Sequence, residues 1–208
     1  MRARADGSRP PLRGVYAIVD PEAVEPIGFT EAILRGGVRI VQIRAKLGID
    51  GTTLIAIVTR VRAAGGIALL NDDVGLARLA DGVHLGQEDA ALYDLAKVRS
   101  ALGPRMIIGL SCGTPEEARR ADPALVDYLG VGPIFATPSK PDAGYPIGIS
   151  GTRAVVDATS LPVAAVGGIG AATIARVRES GAEMAAVISA LMTADPESAA
   201  RTLVERWG

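Results

Sequence analysis

The sequence predicts a single-domain α/β protein with a (β/α)8 TIM-barrel architecture. Three observations lead there. Short Val- and Ile-rich runs recur about eight times, each is followed by a polar stretch with helical spacing, and 208 residues suit one such closed layer with few insertions. A parallel sheet must be covered, and closing it removes its edges. A doubly wound open sheet shows the same alternation and remains the structural alternative, although no GxGxxG follows the first strand.

In chain order, residues 1–13 carry four arginines and no apolar run, and are expected to form a flexible tail ahead of a barrel over 14–208. A strand is expected at 15–19 and a helix at 30–35, ended by Gly36. The next strand, 39–44, leads to a helix at 52–64 that should exit at Gly65. Strands at 67–70 and 82–85 flank a short helix at 74–79, and a helix at 90–102 follows. The strand at 106–110 precedes a helix at 115–121, where Thr114 and Glu117 have capping-box spacing. The strand at 126–131 and a helix at 151–158 are separated by a long Pro-containing stretch, 132–146. The strand at 162–166, a helix at 171–180 ended by Gly181, and the strand at 184–188 complete the alternation. The last helix, 196–205, starts at Asp195-Pro196, an N-cap and first-turn pair.

Composition excludes several functions. Lys and Arg number 22 against 23 Asp and Glu, so there is no global field to recruit nucleic acid or an anionic membrane, and any anion site must be local. Aromatic residues make up only 3%, too few for a base-stacking platform. One cysteine, Cys112, and one histidine, His84, give neither an intramolecular disulfide nor a Cys/His zinc cluster, and suit a reducing, cytoplasmic setting. No run approaches the roughly 18–20 apolar residues of a membrane span.

In a barrel, chemistry belongs to the loops after the strands. After the second strand, period-two alternation turns Gln42, Arg44 and Lys46 to one side, the barrel interior. Cations there require an anionic ligand or a structural ion pair, so this is either a phosphate or diphosphate clamp or a bridge to a neighbouring strand. The third and fourth strands deliver acids to the same rim, in Asn71-Asp72-Asp73 and Gln87-Glu88-Asp89. One carboxylate from each suffices for magnesium shared with substrate phosphates; the competing reading is helix capping, above all for Asp73 and Glu88. The run Val166-Gly167-Gly168-Ile169-Gly170 and the pair Ile188-Ser189 fall where this architecture cradles phosphate. In the stretch 132–146, Lys140 stands where it could bring positive charge to a leaving phosphate; the bland reading is a solvated loop. His84, mid-strand, reads as a satisfied core histidine rather than a base. Ser111 reaches the rim, Cys112 is a bystander, and no Ser/His/Asp pattern supports acyl transfer.

These residues together resemble the thiamine-phosphate synthase family, over residue 15 to the C-terminus. The motifs are Gln42-Ile-Arg44-Ala-Lys46, Asn71-Asp72-Asp73, Asp81-Gly-Val-His-Leu-Gly-Gln-Glu-Asp89, Gly130-Val-Gly-Pro-Ile-Phe, Thr137-Pro-Ser-Lys140, Gly167-Gly168-Ile and Ile188-Ser189. The resemblance implies a transferase that joins hydroxymethylpyrimidine diphosphate to a carboxylated thiazole phosphate, with loss of pyrophosphate and carbon dioxide through a dissociative pyrimidine cation. It assigns Gln42, Arg44, Lys46, Asn71, Ser111 and Lys140 to the pyrimidine diphosphate, with Arg44, Lys46 and Lys140 stabilising the leaving group. Asp72 and Asp89 would hold Mg2+, and Thr137, Pro138, Ser139, Gly168, Ile188 and Ser189 the thiazole phosphate. Two departures, Ala165 in place of a glycine and Ala136 in place of a proline, bear on the thiazole pocket. Expected partners are the two small-molecule substrates, with self-association left open. The alternatives are a related thiazole tautomerase, which handles no diphosphate, and a non-catalytic phosphate-binding barrel.

Overall fold

The computed structural model describes residues 11–86, 93–139 and 144–208. Its eight strands are β1 (Gly14–Val19), β2 (Ile40–Ile43), β3 (Ile67–Asn71), β4 (Gly82–Leu85), β5 (Ile107–Cys112), β6 (Tyr128–Val131), β7 (Val163–Val166) and β8 (Met184–Val187). They pair in parallel in sequence order, and β8 returns to β1, closing the barrel. The open-sheet alternative is thereby excluded. Around it lie α1 (Pro26–Arg35), α2 (Gly51–Ala63), α3 (Leu95–Leu102), α4 (Pro115–Arg120), α5 (Gly148–Val156), α6 (Ile174–Arg178) and α7 (Pro196–Trp207).

Strand alternation builds two separate apolar regions. One set of residues, including Val41, Leu70, Val83, Ile108, Leu129, Val163 and Ala185, packs outward against the helices. The other, Tyr16, Ile40, Ile67, Leu69, Ile107, Tyr128, Ala164, Met184 and Ala186, fills the barrel interior. Leu12, expected in the tail, packs against this inner set; residues 1–10 lie outside the described part.

The caps show why the helices start where they do. Thr114 Oγ1 accepts from Glu117 N at 3.2 Å, and Glu117 Oε2 accepts from Gly113 N at 2.6 Å, so the predicted box closes one residue early. Asp195 Oδ1 accepts from Ser198 N at 3.0 Å. Helix α1 starts four residues before the expected position because Glu25 caps Ile27 N and Gly28 N ahead of Pro26, which fits a first turn that needs no N–H. The expected helix at 74–79 is only a 3-10 turn, Ala77–Leu79, since Asp73 Oδ1 takes Leu76 N in a tight turn after β3. Asp73 thus closes a turn rather than capping a helix, since the 3-10 turn has Leu76 at its N-cap and no side-chain cap bond; Glu88 lies outside the described residues. Gly36 exits α1 in a right-handed conformation, and the left-handed residue is Gly37, at φ 102°. Gly36 is required for space instead, because a Cβ there would lie 2.5 Å from Glu197 O of α7.

At the N-terminal end of the barrel an arrangement repeats three times. Asp81, Asp127 and Glu183 each precede an even-numbered strand. Their carboxylates accept from Ala68 N (2.9 Å), Ile108 N (2.8 Å) and Val163 N (2.8 Å) on the preceding odd strand, and their own amides donate to those same residues' carbonyls. Arg62 and Arg99 reinforce Asp81 and Asp127 at 3.0 and 2.6 Å. Before β2 the corresponding residue is Arg39, whose guanidinium instead bonds Leu34 O and Val38 O.

Candidate active site

The interior-facing positions emerge at the C-terminal end of the strands around a cavity of about 530 Å3. Its walls carry Gln42, Arg44, Lys46, Asn71, Asp72, Ser111, Thr137, Ser139, Gly168, Ile188 and Ser189, so residues singled out on six different strands and their loops meet in one place. Pro138 is the exception: it is exposed, and its neighbours Thr137 and Ser139 face the cavity instead. Asp89 and Lys140 lie outside the described residues.

One half of the cavity is built for charge. Gln42 is buried and Arg44 half-buried, with Lys46 exposed at the rim. Among the described residues neither Arg44 nor Lys46 forms an ion pair, so the structural-bridge reading finds no support there. Asp72 sits in a left-handed conformation, φ 61°, which is unusual for a residue with a Cβ. Its Oδ1 accepts from Gly86 N at 2.7 Å, its Oδ2 accepts from Asn71 Nδ2, and its amide donates to His84 O at 2.8 Å. A carboxylate oriented by such bonds is a suitable ligand for a hard cation. Among the described residues no group of three or more His, Cys, Asp or Glu side chains gathers to form an all-protein metal cage.

The other half is neutral and close-packed. Gly167 (φ 103°) and Gly168 (φ 64°) follow β7, and a Cβ on Gly168 would lie 2.6 Å from Ala136 O. The loop after β6 wedges against this turn: Ile134 N donates to Val166 O at 2.9 Å and Phe135 N to Gly167 O at 3.0 Å. The first part of the 132–146 stretch is therefore a fixed wall. Ser139 N donates to Thr137 Oγ1 at 3.2 Å, and Ile188 leads into a second 3-10 turn, Ser189–Leu191. Of the two departures, Ala165 packs outward among the helices, away from the cavity.

Under the cavity, two groups that escape a residue-by-residue reading, Tyr16 and Tyr128, join His84. Tyr16 and Tyr128 are buried in the interior, their hydroxyls 2.9 Å apart; Tyr128 Oη lies 2.9 Å from His84 Nδ1, and His84 Nε2 lies 3.1 Å from Ser111 Oγ. His84 is thus a satisfied histidine, as expected, but one that reaches the cavity wall. Burial lowers its pKa to about 4, which leaves it neutral at physiological pH. Two interior glycines make the room: a Cβ on Gly109 would lie 2.1 Å from Tyr128 Cζ, and one on Gly130 2.7 Å from His84 Cε1. The signal was present in the sequence as tyrosines in phase with interior positions, where a hydroxyl must find a partner. Cys112 lines the wall, but burial pushes its thiol up to about 11, which fits a bystander rather than a nucleophile.

Comparison with known proteins agrees with this geometry. A family model described as thiamine monophosphate synthase matches residues 15–191. The thiamine-phosphate synthase of Roseiflexus sp. (strain RS-1) is 42% identical over 199 residues, covering 91% of this chain and 83% of that protein. The thiamine biosynthesis bifunctional protein ThiM/ThiE of Symbiobacterium thermophilum is 43% identical over 206 residues; that match covers 94% of this chain but spans only 42% of the longer relative. Among solved structures, the thiamine phosphate pyrophosphorylase from Pyrococcus furiosus superimposes with a TM-score of 0.82 at 30% identity, covering 93% of this chain and 94% of that one. A geranylgeranylglyceryl phosphate synthase from Thermoplasma acidophilum, at 15% identity and a TM-score of 0.70, shares the fold alone. The chain belongs to the thiamine monophosphate synthase family.

Proposed function

We propose that this protein is a magnesium-dependent thiamine-phosphate synthase, a transferase that joins 4-amino-2-methyl-5-hydroxymethylpyrimidine diphosphate to carboxylated thiazole phosphate and releases pyrophosphate and carbon dioxide. The observation that carries the reading is the division of one cavity into a cationic half and a glycine- and hydroxyl-lined half. A protein that bound one phosphate would need only the second. A thiazole tautomerase would have no use for Gln42, Arg44, Lys46, Asn71 and Asp72 together.

In this reading the pyrimidine diphosphate lies against Gln42, Arg44, Lys46, Asn71 and Ser111, with Lys140 completing the set. Arg44, Lys46 and Lys140 take up the negative charge that develops as the methylene C–O bond breaks and its electron pair leaves with pyrophosphate. Magnesium held by Asp72 and Asp89 would supply further positive charge to the diphosphate oxygens. The aminopyrimidine delocalises the cation left on the methylene, the thiazole nitrogen lone pair forms the new C–N bond, and the carboxylate then leaves as carbon dioxide, its bonding pair staying on the thiazolium carbon to take a proton from solvent. Thr137, Ser139, Gly168, Ile188 and Ser189 hold the thiazole phosphate in place for this, since backbone amides released by glycine approach phosphate closely. Pro138 contributes by shaping the turn between Thr137 and Ser139. No protein nucleophile is required, which agrees with the inert Cys112. Among the described residues no helix is long and apolar enough to cross a membrane, and a cytoplasmic location suits a pair of phosphorylated biosynthetic substrates.

The test is direct. Purified protein given both substrates and magnesium should release pyrophosphate and form thiamine phosphate, and chelation should abolish both. Isomerisation of the thiazole without pyrophosphate release would select the tautomerase, and saturable binding without turnover would select the binder.

A further inference from the structure

The groups beneath the cavity form a single file from the barrel interior to the ligand: Tyr16, Tyr128, His84, Ser111, at separations of 2.9, 2.9 and 3.1 Å. Such a file can be protonated in two directions. If protons point inward, Ser111 donates to His84 Nε2, His84 Nδ1–H donates to Tyr128, and Tyr128 donates to Tyr16. The Tyr16 proton then has nowhere to go, because among the described residues Tyr128 is the one hydrogen-bond partner of that hydroxyl. If protons point outward, every donor in the file has an acceptor, and the cost at Tyr16 is only an unused lone pair. A buried donor left unpaired costs far more than an unfilled acceptor site on a hydroxyl that already makes one bond.

We propose that this file fixes Ser111 as a hydrogen-bond donor toward the cavity. Tyr16 donates to Tyr128, Tyr128 donates to His84 Nδ1, and His84 Nε2–H donates to Ser111 Oγ, so the Ser111 proton is the only one left to point at the ligand. Tyr16, Tyr128 and His84 are positioning residues, held in register by the space at Gly109 and Gly130. If the cavity binds the pyrimidine diphosphate as proposed above, Ser111 pairs with an acceptor-only atom, a diphosphate oxygen or an unprotonated ring nitrogen.

His84 is the only histidine in the chain, so its imidazole can be observed alone. Protein labelled with 15N-histidine and free of ligand should show the Nε2–H tautomer at neutral pH. A ring protonated at Nδ1 overturns the proposal, and this readout does not depend on any activity. In Tyr128→Phe the ring loses the donor that selects its tautomer, so the spectrum should become a mixture and kcat/KM should fall about threefold to tenfold, the range of one net hydrogen bond. Because Tyr128 acts through Ser111, the double variant Tyr128→Phe/Ser111→Ala should turn over within about twofold of Ser111→Ala alone. Losses that multiply would show a general structural role and overturn the proposal. Absence of thiamine phosphate formation in every preparation, with the Nε2–H tautomer intact, would refute the assigned reaction and leave the proton arrangement standing.

Discussion

Acidification should destabilise this fold through its single imidazole. The His84 pKa lies at about 4 in the folded protein, against 6.5 for the free side chain. Protonation therefore favours the unfolded chain, and the sign follows: the contribution is fully present above pH 6.5 and is lost as pH falls toward 4. Across that interval each pH unit removes about 1.4 kcal/mol, or at most about 3 kcal/mol in all, an upper value because the ring borders an open cavity. The assay is urea denaturation between about pH 7 and pH 4.5 for the native sequence and for His84→Gln. The variant starts less stable, having lost the bonds to Tyr128 and Ser111, but its stability should decline less steeply with acid. Capping carboxylates such as Asp50, whose pKa is lowered by the Thr53 side chain and then its amide, and Asp94, lowered by the Lys97 amide, also lose stability in acid. They are common to both proteins and cancel in the difference. Parallel pH dependences would refute the reasoning, because they would mean that His84 takes up its proton as easily when folded as when unfolded.

Three further outcomes are expected. Asp72→Asn keeps a residue type tolerant of the left-handed backbone and should lower magnesium-dependent turnover by about 10²-fold while leaving thiazole phosphate binding by calorimetry unchanged; equal loss of both would argue against separate halves. Gly168→Ala should raise KM for the thiazole phosphate and cost roughly 1–3 kcal/mol of stability, because its Cβ would meet Ala136 O at 2.6 Å from a left-handed backbone; magnesium-pyrophosphate binding in the other half should persist. Asp127→Ala removes the acceptor for Ile108 N and for Arg99 at the opposite end of the barrel, and should destabilise by about 2–4 kcal/mol with kcat unchanged, measured by denaturation and steady-state kinetics.

The barrel and most of the candidate site were legible because both follow from local pattern. Buried parallel strands read as continuous Val/Ile runs, and the period of two that turns Gln42 inward also turns Asn71, His84, Ser111 and Ile188 inward, so the interior face could be followed strand by strand. Legibility failed where the determinant lay far away in sequence. Gly36 looked like a left-handed exit, whereas it is the approach of α7 that forbids a side chain there. The helix expected at 74–79 lost to a turn closed by Asp73. Tyr16 and Tyr128 are 112 residues apart, and nothing local to either announces the other. Pro138 shares the phosphate-binding expectation of its neighbours, but it has no amide to offer and turns outward.

The carboxylates beneath the barrel also bear on how it comes apart. Asp81, Asp127 and Glu183 lock β3 to β4, β5 to β6 and β7 to β8 through side chain and backbone at once, whereas Arg39 leaves β1 and β2 joined by the ladder alone. Taken two by two from β1, the closed sheet is thus three latched pairs and one unlatched pair, with the seams between pairs also held by the ladder alone. Amide exchange under native conditions should find the slowest protons at Ala68, Ile108 and Val163, and the first sub-global opening at an unlatched seam rather than within a latched pair. The β1–β2 seam ends at Gln42 and Arg44, so a join held by backbone pairing alone lies directly below the cationic half of the cavity.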